Sequence, residues 1–276
     1  MKVVNMADTK EIHLRALLYS ASGMGKTTSI LTLPLNRVLV IMAEPKRLPL
    51  IGTEVDLWEI EDWPDVQEAF MTARKGLASE EGLIVNGLKK DIIFVDSLTE
   101  INEKCKRHIV AKDRPALMAR RKKKDLGGIY DEQMTIDDWG LLSTRINSLV
   151  SSFCHLPCHL IIMALEQWVE NKLTGEVSLL PALNGKLANT ISSHFDFAFH
   201  LEIQKIDGVE RRYFRTSHSA QIAAKGSPHL DELEEPNWKK VMTKVFTAGR
   251  SAKKKVSSKK AAKVAAETKG GENDGT

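Results

Sequence analysis

The sequence has few of the features that mark a secreted or membrane protein. None of its apolar runs approaches the ~20 residues that a membrane-spanning helix needs. Residues 1–8 lack the long apolar region of a secretory signal. The chain has only three cysteines, so at least one is unpaired, as is common in a reducing compartment. We therefore expect a cytoplasmic protein with no membrane partner.

The residues after Gly249 differ in composition from the rest of the chain. Residues 251–276 are rich in Lys, Ala, Ser and Gly, have no aromatic residue, and include the runs Lys253–Lys255 and Lys259–Lys260. Such a segment buries too little apolar area to offset the entropy lost on ordering. The whole chain is 42% hydrophobic, which is sufficient for a core, and no internal repeat is visible. We predict a folded core over residues 1–248 and a disordered basic tail over residues 249–276.

The segment Tyr19–Thr28 has the pattern of a phosphate-binding loop. It follows a short apolar run and precedes the helix-compatible apolar residues Ile30, Leu31 and Leu33. In the order strand, glycine loop, helix, backbone N–H groups converge on phosphate oxygens. Lys26 would reach the β- and γ-phosphates of ATP, and the Thr27 hydroxyl would bind Mg²⁺. The predicted nucleotide-binding residues of this loop are Ser20, Ala21, Ser22, Gly23, Met24, Gly25, Lys26, Thr27 and Thr28.

One position of this loop departs from the usual pattern Gly-x-x-x-x-Gly-Lys-Ser/Thr. Ser20 stands where the first glycine is usual, but serine is small and the later glycines, lysine and threonine are present. The alternative is a chance glycine turn before a helix. The strand context, the lysine and the hydroxyl together favour a nucleotide-binding loop.

Strand-like and helix-like segments alternate along the core. Helices are predicted with Pro64 in the first turn, from Ser97 onward, from about Asp137 to Phe153 and from Leu183 to Ser193. The predicted strands are Arg37–Met42, Val55–Ile60, Asp91–Asp96, His159–Leu165, a hairpin over residues 168–181, Phe195–Ile203 and Arg211–Arg215. Long apolar strands between helices predict an α/β fold with a mostly parallel sheet that has helices on both faces.

Asp96 ends an apolar strand downstream of the phosphate loop, which is the arrangement of a Walker B strand. Its carboxylate would hold Mg²⁺, directly or through water. The alternative is that Asp96 or Ser97 caps the helix that follows. ATP and Mg²⁺ are the predicted ligands.

Residues 104–128 are strongly basic, and their neutralisation of phosphates would give affinity for nucleic acid without sequence preference. The alternative is a solvated helix face. The predicted DNA-binding cations are Lys106, Arg107, Arg120, Arg121, Lys122, Lys123 and Lys124.

A cluster of cysteine and histidine invites a test for zinc. Cys154, His155, Cys158 and His159 are close in sequence, but a structural zinc site needs four ligands in suitable geometry. The cluster joins an apolar helix to an apolar strand, where small buried cysteines are common. We favour the buried cysteines over a metal site.

The order of these signals resembles the RecA-type recombinase core. Within that group the chain is most similar to the short phage Sak-type single-strand annealing ATPases, over about residues 14–246. The resemblance rests on the phosphate loop, on Glu44 after the next strand, on Asp96-Ser97 and on a later strand that ends in Glu166-Gln167. It implies a RecA-like P-loop ATPase core and a homo-oligomer, either a ring or a filament. A phage protein would act in the host cytoplasm, where a single-strand-binding protein is a further candidate partner.

The resemblance also assigns roles to individual residues. Glu44 matches the glutamate that polarises the attacking water, although it could instead be a solvated loop residue. Gln167 resembles the polar residue that senses the γ-phosphate, and Glu166 is the alternative. The segments after Asp96 and after Gln167 take the places of two DNA-contacting loops, so Trp168 could stack on a base. A buried, structural Trp168 is the favoured alternative.

Lys225 lies near the place where relatives carry a lysine and an arginine that reach a neighbouring subunit's nucleotide. Here glycine and serine follow it, so that arginine is missing and Arg212 or Arg215 would have to substitute.

Three functions remain open on the sequence. The first is a DNA-stimulated ATPase that binds single-stranded DNA and promotes annealing or strand exchange. The second is an ATP-dependent loader or adaptor for a DNA-replication protein. The third is an annealing protein whose nucleotide site is only structural, and such a protein would tolerate loss of Lys26.

Overall fold

The structure is a computed structural model that describes residues 12–114, 134–170, 174–219 and 221–247. The predicted tail and the basic residues Arg120–Lys124 lie outside these ranges. The described strands are β1 (Arg15–Ser20), β2 (Val38–Met42), β3 (Asp56–Glu59), β4 (Leu83–Val85), β5 (Leu88–Lys90), β6 (Ile92–Asp96), β7 (His159–Glu170), β8 (Val177–Pro181), β9 (Phe197–Ile206), β10 (Val209–Arg215) and β11 (Leu233–Glu234).

The helices in these ranges vary in type and length. The α-helices are α1 (Trp63–Ala78), α2 (Leu98–His108), α3 (Ile136–Cys154), the short α4 (Leu187–Thr190) and α5 (residues 238–247). Turns of 3₁₀-helix cover Thr27–Thr32, Leu35–Arg37, Leu48–Leu50 and Ile191–His194, and a π-helical turn covers Ile109–Asp113.

A nine-stranded mixed sheet organises the described residues. Its order is β11-β10-β9-β1-β7-β6-β2-β3, with β8 paired to β7. The five inner pairings, from β9 to β3, are all parallel, whereas β10, β11 and β8 are antiparallel to their neighbours. A mostly parallel α/β sheet was predicted, and this prediction is confirmed. Since parallel strands share one direction, the carboxyl ends of β1, β2, β6 and β7 lie at one edge of the sheet.

The sheet is covered on both faces because its inner strands are apolar throughout. Every residue of β2 and of β6 is buried. On one face, side chains such as Leu17 and Ile93 pack with α1, α2 and α3. On the other face, Leu18 and Phe94 pack with Ile30 and with α5. A continuous apolar strand is typical of a sheet buried on both sides.

Capping residues fix where the long helices begin. Asp62 and Asp65 form a reciprocal capping box at α1, with Pro64 in its first turn. Thr135 and Asp138 do the same at α3. Ser97 caps α2 by accepting a hydrogen bond from the Glu100 backbone, so the alternative role considered for Ser97 is realised.

The helix after the phosphate loop is shorter than the sequence suggested. It is a 3₁₀-helix that ends at Thr32, because Leu33 is extended with ψ at 162° and Pro34 follows. Proline disfavours a helical conformation in the residue before it. The predicted helix Leu183–Ser193 is also shorter, with α-helical geometry only over Leu187–Thr190.

Several elements of the fold had not been predicted, including the following two. One is the β4–β5 hairpin, whose turn residues Asn86 and Gly87 have φ of 49° and 74°. Asn-Gly with two positive φ angles is typical of a two-residue hairpin turn. The other is α5, in which Trp238 is completely buried.

Candidate nucleotide-binding site

The phosphate loop connects the end of β1 to the 3₁₀-helix that begins at Thr27. Gly23 and Gly25 have φ of 78° and 100°, values that residues with a Cβ rarely adopt. These two glycines therefore allow the loop to turn back on itself below the helix N-terminus. The helix is only six residues long, so the backbone N–H groups of the loop, rather than a helix dipole, would be the main contribution to anion binding.

The side chain of Lys26 folds back into this loop and is only 8% exposed. Its Nζ donates to the carbonyls of Ser20 at 2.9 Å and Ala21 at 2.8 Å, and contacts the Ser20 hydroxyl at 3.1 Å. The serine that replaces the usual glycine therefore provides a partner for Lys26. Burial lowers the pKa of Lys26 to about 8, although the negative charges of Asp96 and Glu44 act in the opposite direction.

Thr27 and Asp96 meet at the floor of the site. The Thr27 hydroxyl donates to Oδ2 of Asp96 at 2.7 Å. Burial raises the pKa of Asp96, and the hydrogen bond from Thr27 opposes that change. A hydroxyl and a carboxylate side by side are oxygen donors of the kind that Mg²⁺ takes beside nucleotide phosphates, so the donor set fits this ion.

Glu44 is held at the mouth of the site by two side chains. The Ser97 hydroxyl donates to Oε1 of Glu44 at 2.6 Å, and Nζ of Lys46 lies 3.2 Å from Oε2. The backbone N–H of Ala43 donates to the Asp96 carbonyl at 2.6 Å. The ends of β2 and β6 are thus tied together, and their carboxylates line the same cleft.

This cleft has a volume of about 460 Å³. It is lined by the phosphate loop with Asp96 and Glu44, and by residues 45–49, an outer wall that contains the cations Lys46 and Arg47 besides apolar side chains. Those apolar side chains are Pro45, Leu48 and Pro49, and Leu48 is 83% exposed. The sequence showed no base-contacting motif; the signal that was missed is the pair Leu48-Pro49, four residues after Glu44, since apolar side chains in an open cleft suit the face of a nucleobase.

Gln167 and Glu166, the two candidates for a γ-phosphate sensor, contact different partners. The Gln167 amide donates to the carbonyl of Leu183 at 2.7 Å and to that of Pro181 at 3.3 Å, so it ties β7 to the segment after β8. The Glu166 carboxylate pairs with Nε2 of His200 at 2.7 Å, and its charge acts on Lys26. Of the two, Glu166 is electrostatically coupled to the phosphate loop.

The predicted DNA contacts are only partly described. Lys106 lies 3.5 Å from Glu103 and above the Trp139 ring, and Arg107 pairs with Glu100 at 2.5 Å. Both cations are thus already paired within the chain. Trp168 is 62% exposed on the β7–β8 hairpin, so the expectation that it is a core residue is wrong. In the outer part of β7, Val169 still packs against the core, whereas Trp168 and Glu170 are exposed.

Lys225 contacts the start of β9. Its Nζ donates to the Phe195 carbonyl at 2.7 Å, and its backbone pairs with Ala198. Both partners are near the amino end of β9, whereas the phosphate loop follows the carboxyl end of the parallel neighbour β1. Arg215 is engaged by Glu202 and Glu232. Arg212 instead lies beside Gly25.

The cysteine–histidine cluster joins the end of α3 to the start of β7. Within the described ranges, no group of three or more His, Cys, Asp or Glu residues is arranged to hold a metal ion. Nδ1 of His159 accepts a hydrogen bond from the Leu14 backbone at 3.0 Å, and burial lowers its pKa to about 4. Cys158 is buried in the core.

The sheet, the phosphate loop and the Thr27–Asp96 pair define a P-loop nucleoside triphosphatase. A family model described as AAA domain matches residues 12–227, which is most of the chain. The protein therefore belongs to this AAA-type family of P-loop ATPases. No curated protein matches the sequence. No helix in the part of the chain that the structure describes is long and apolar enough to cross a membrane.

Proposed function

We propose that this ATPase binds single-stranded DNA and uses ATP to control annealing or strand exchange. The observation that supports this proposal is that one strand, β7, contributes residues both to the nucleotide cleft and to the exposed surface around Trp168. Leu165 of β7 lines the nucleotide cleft, and Trp168, three residues further on, is an exposed aromatic side chain. An exposed indole is a platform on which any base can stack. A shift of β7 on nucleotide binding would therefore change the position of Trp168.

The side chains of the cleft support a hydrolytic mechanism. Thr27 and Asp96 would hold Mg²⁺, which would neutralise charge that develops on the phosphate oxygens. Lys26 would exchange its two carbonyl acceptors for phosphate oxygens, with which it forms charge-assisted hydrogen bonds. Glu44 would accept a proton from the attacking water, and Ser97 would fix which carboxylate oxygen faces that water.

DNA affinity would come from the basic residues Arg120–Lys124, which follow α2 in the chain. Contacts of these cations with phosphates supply affinity that falls steeply as the salt concentration rises. Stacking of a base on Trp168 adds affinity that does not depend on salt in this way. With the resemblance to phage annealing ATPases, this favours a recombination protein that works as a homo-oligomer. The C-terminal lysines could recruit a single-strand-binding protein.

The direct test is ATP hydrolysis with and without single-stranded DNA. We expect stimulation in the full chain and in a form that ends at Gly249, and loss of turnover in Lys26→Ala. Replacement of all five cations of Arg120–Lys124 by glutamine should weaken DNA binding and flatten its salt dependence. The matched control replaces five tail lysines, Lys253–Lys255 and Lys259–Lys260, and should keep the salt dependence. Equal effects of the two five-charge variants would count against the central basic segment.

A second candidate, an ATP-dependent loader for a replication protein, is favoured by two observations. Lys106 and Arg107 are neutralised by glutamates of their own helix, which removes them from DNA. Ile136, at the start of α3, is 90% exposed and offers an apolar contact for a protein. Absence of DNA stimulation in both the full and the shortened chain would favour the loader over the annealing ATPase.

A further inference from the structure

The β9–β10 hairpin extends beyond the end of β1. The pairing of β9 with β1 ends at His200 and Tyr19, yet β9 continues to Ile206 before the turn into β10. The phosphate loop begins one residue after Tyr19. The outer half of the hairpin therefore projects beside the loop, and its side chains on the loop's side of the sheet can reach it.

Alternation along β10 separates its arginines onto two faces. Phe214 is completely buried on the face that packs with Ile30 of the loop's 3₁₀-helix. Because side chains alternate in a strand, Arg212 shares that face with Phe214, whereas Arg211 and Arg215 point to the other one. Arg215 is paired there with Glu202 at 2.8 Å. The antiparallel register agrees, since Arg212 is opposite Ile203 and Phe214 is opposite Leu201, another residue of the same core.

Arg212 lies beside the phosphate loop at Gly25. The position that a Cβ would take on Gly25 lies 3.7 Å from both Cδ and Nε of Arg212. The side chain is exposed, and no carboxylate of the described residues pairs with it. The other arginine near the end of β10, Arg215, has two such partners. A cation that lies beside a glycine loop, with no carboxylate of the described ranges paired to it, has hydrogen-bond donors available for an anion.

We propose that Arg212 binds a phosphate oxygen of the nucleotide held by the loop of its own chain. The proposal rests on the proposed function, because it requires a nucleotide at this loop. A guanidinium presents planar donors that match a phosphate group better than an ammonium does. The site thereby has two cations of different kinds. Lys26 lies within the loop, and Arg212 lies beside Gly25 of the loop, on the β9–β10 hairpin.

The experiment compares Arg212→Ala with Arg211→Ala, the neighbouring exposed arginine on the opposite face. The affinity of each variant for ADP and for a non-hydrolysable ATP analogue is measured by calorimetry, together with the rate of ATP hydrolysis. We expect Arg212→Ala to lose about 10- to 100-fold in affinity for the ATP analogue, as for a hydrogen bond to a charged group. Arg211→Ala should stay within about twofold, and Arg212→Lys should recover part of the loss. Equal affinities of the two alanine variants would overturn the proposal.

A mixing experiment decides whether Arg212 acts on its own chain. Arg212→Ala and Lys26→Ala proteins are combined and assayed for hydrolysis. An arginine that served the neighbouring subunit would be supplied by the Lys26→Ala chains, so activity would return; action within one chain predicts no recovery. Recovery would overturn the assignment to the same chain. If the wild-type protein itself failed to bind ATP, the proposed function would fail with it, whereas wild-type binding with an unaffected Arg212→Ala would overturn the role of Arg212 alone.

Discussion

The hydroxyl of Ser97 donates a hydrogen bond of 2.6 Å to the carboxylate of Glu44. The two residues follow the ends of neighbouring parallel strands, β6 and β2, and they are 53 positions apart in the chain. The contact leaves Oε2 of Glu44 to Lys46 and to the cleft. A carboxylate held in this way is suited to accept a proton from water, and the first prediction follows from it.

Glu44→Gln should keep nucleotide binding and lose hydrolysis. The amide is nearly isosteric and can still accept from Ser97, but it cannot act as a base, so we expect a fall in rate of about 10²- to 10⁴-fold. Phosphate release and nucleotide affinity are measured on the same preparation. Glu54→Gln, on an exposed position of the same connection, is the control. A Glu44→Gln enzyme with wild-type turnover would show that another group activates the water.

Lys26 should make stability depend on pH in the alkaline range. Its pKa is lowered to about 8 in the folded protein from 10.5, so the unfolded chain binds more protons between these values. The cost of burying the ammonium group therefore disappears as pH rises through this window. Over the same window the free energy of unfolding of the wild type should rise relative to that of Lys26→Met by on the order of 3 kcal/mol. Urea unfolding from about pH 7 to pH 10.5 measures this difference.

Lys75→Met, at an exposed position of α1, is the control for the alkaline series. Its difference from the wild type should stay constant across the same pH range. A Lys26→Met difference that is equally constant would contradict the lowered pKa.

Trp238 should link α5 to the phosphate loop. Its Nε1 donates to the Ser29 hydroxyl at 2.9 Å, and that hydroxyl in turn donates to the Lys26 carbonyl at 2.5 Å. Trp238→Phe removes the first bond from a buried site and should lower the free energy of unfolding by about 1–3 kcal/mol. Thermal or urea unfolding tests this. The exposed Trp168→Phe should change stability by no more than about 0.5 kcal/mol.

Trp168→Ala should weaken the binding of single-stranded DNA without affecting the fold. Loss of one stacked base costs about 1–3 kcal/mol, which corresponds to about 5- to 150-fold in affinity. Fluorescence anisotropy with a labelled oligonucleotide measures it, and the slope of affinity against salt should not change because no cation is removed. Trp139→Ala is the comparison, since that ring is partly covered by Lys106. Unchanged DNA affinity in Trp168→Ala would place the DNA site elsewhere.

Local signals in the chain were sufficient for the strands and for the phosphate loop. Apolar β-branched runs identified β2, β6 and the start of β7 to within about two residues, and the parallel α/β sheet followed from their alternation with helices. These features depend on neighbouring residues alone. The same local view missed the Asn86-Gly87 hairpin and overestimated the helix before Pro34, although both signals were present.

The sequence by itself determined the residue types of the site: a glycine loop with Lys26 and Thr27, and two acidic residues after later strands. Only the tertiary structure decided which of them meet. The sheet order brings Thr27 to Asp96 and Ser97 to Glu44, turns Gln167 away towards Leu183, and leaves Trp168 exposed. It also places Arg212 beside Gly25, 187 positions away by the chain numbering. The physical reason is that such contacts arise from strand order and register, which pair segments distant in the chain and which no local pattern of residues encodes.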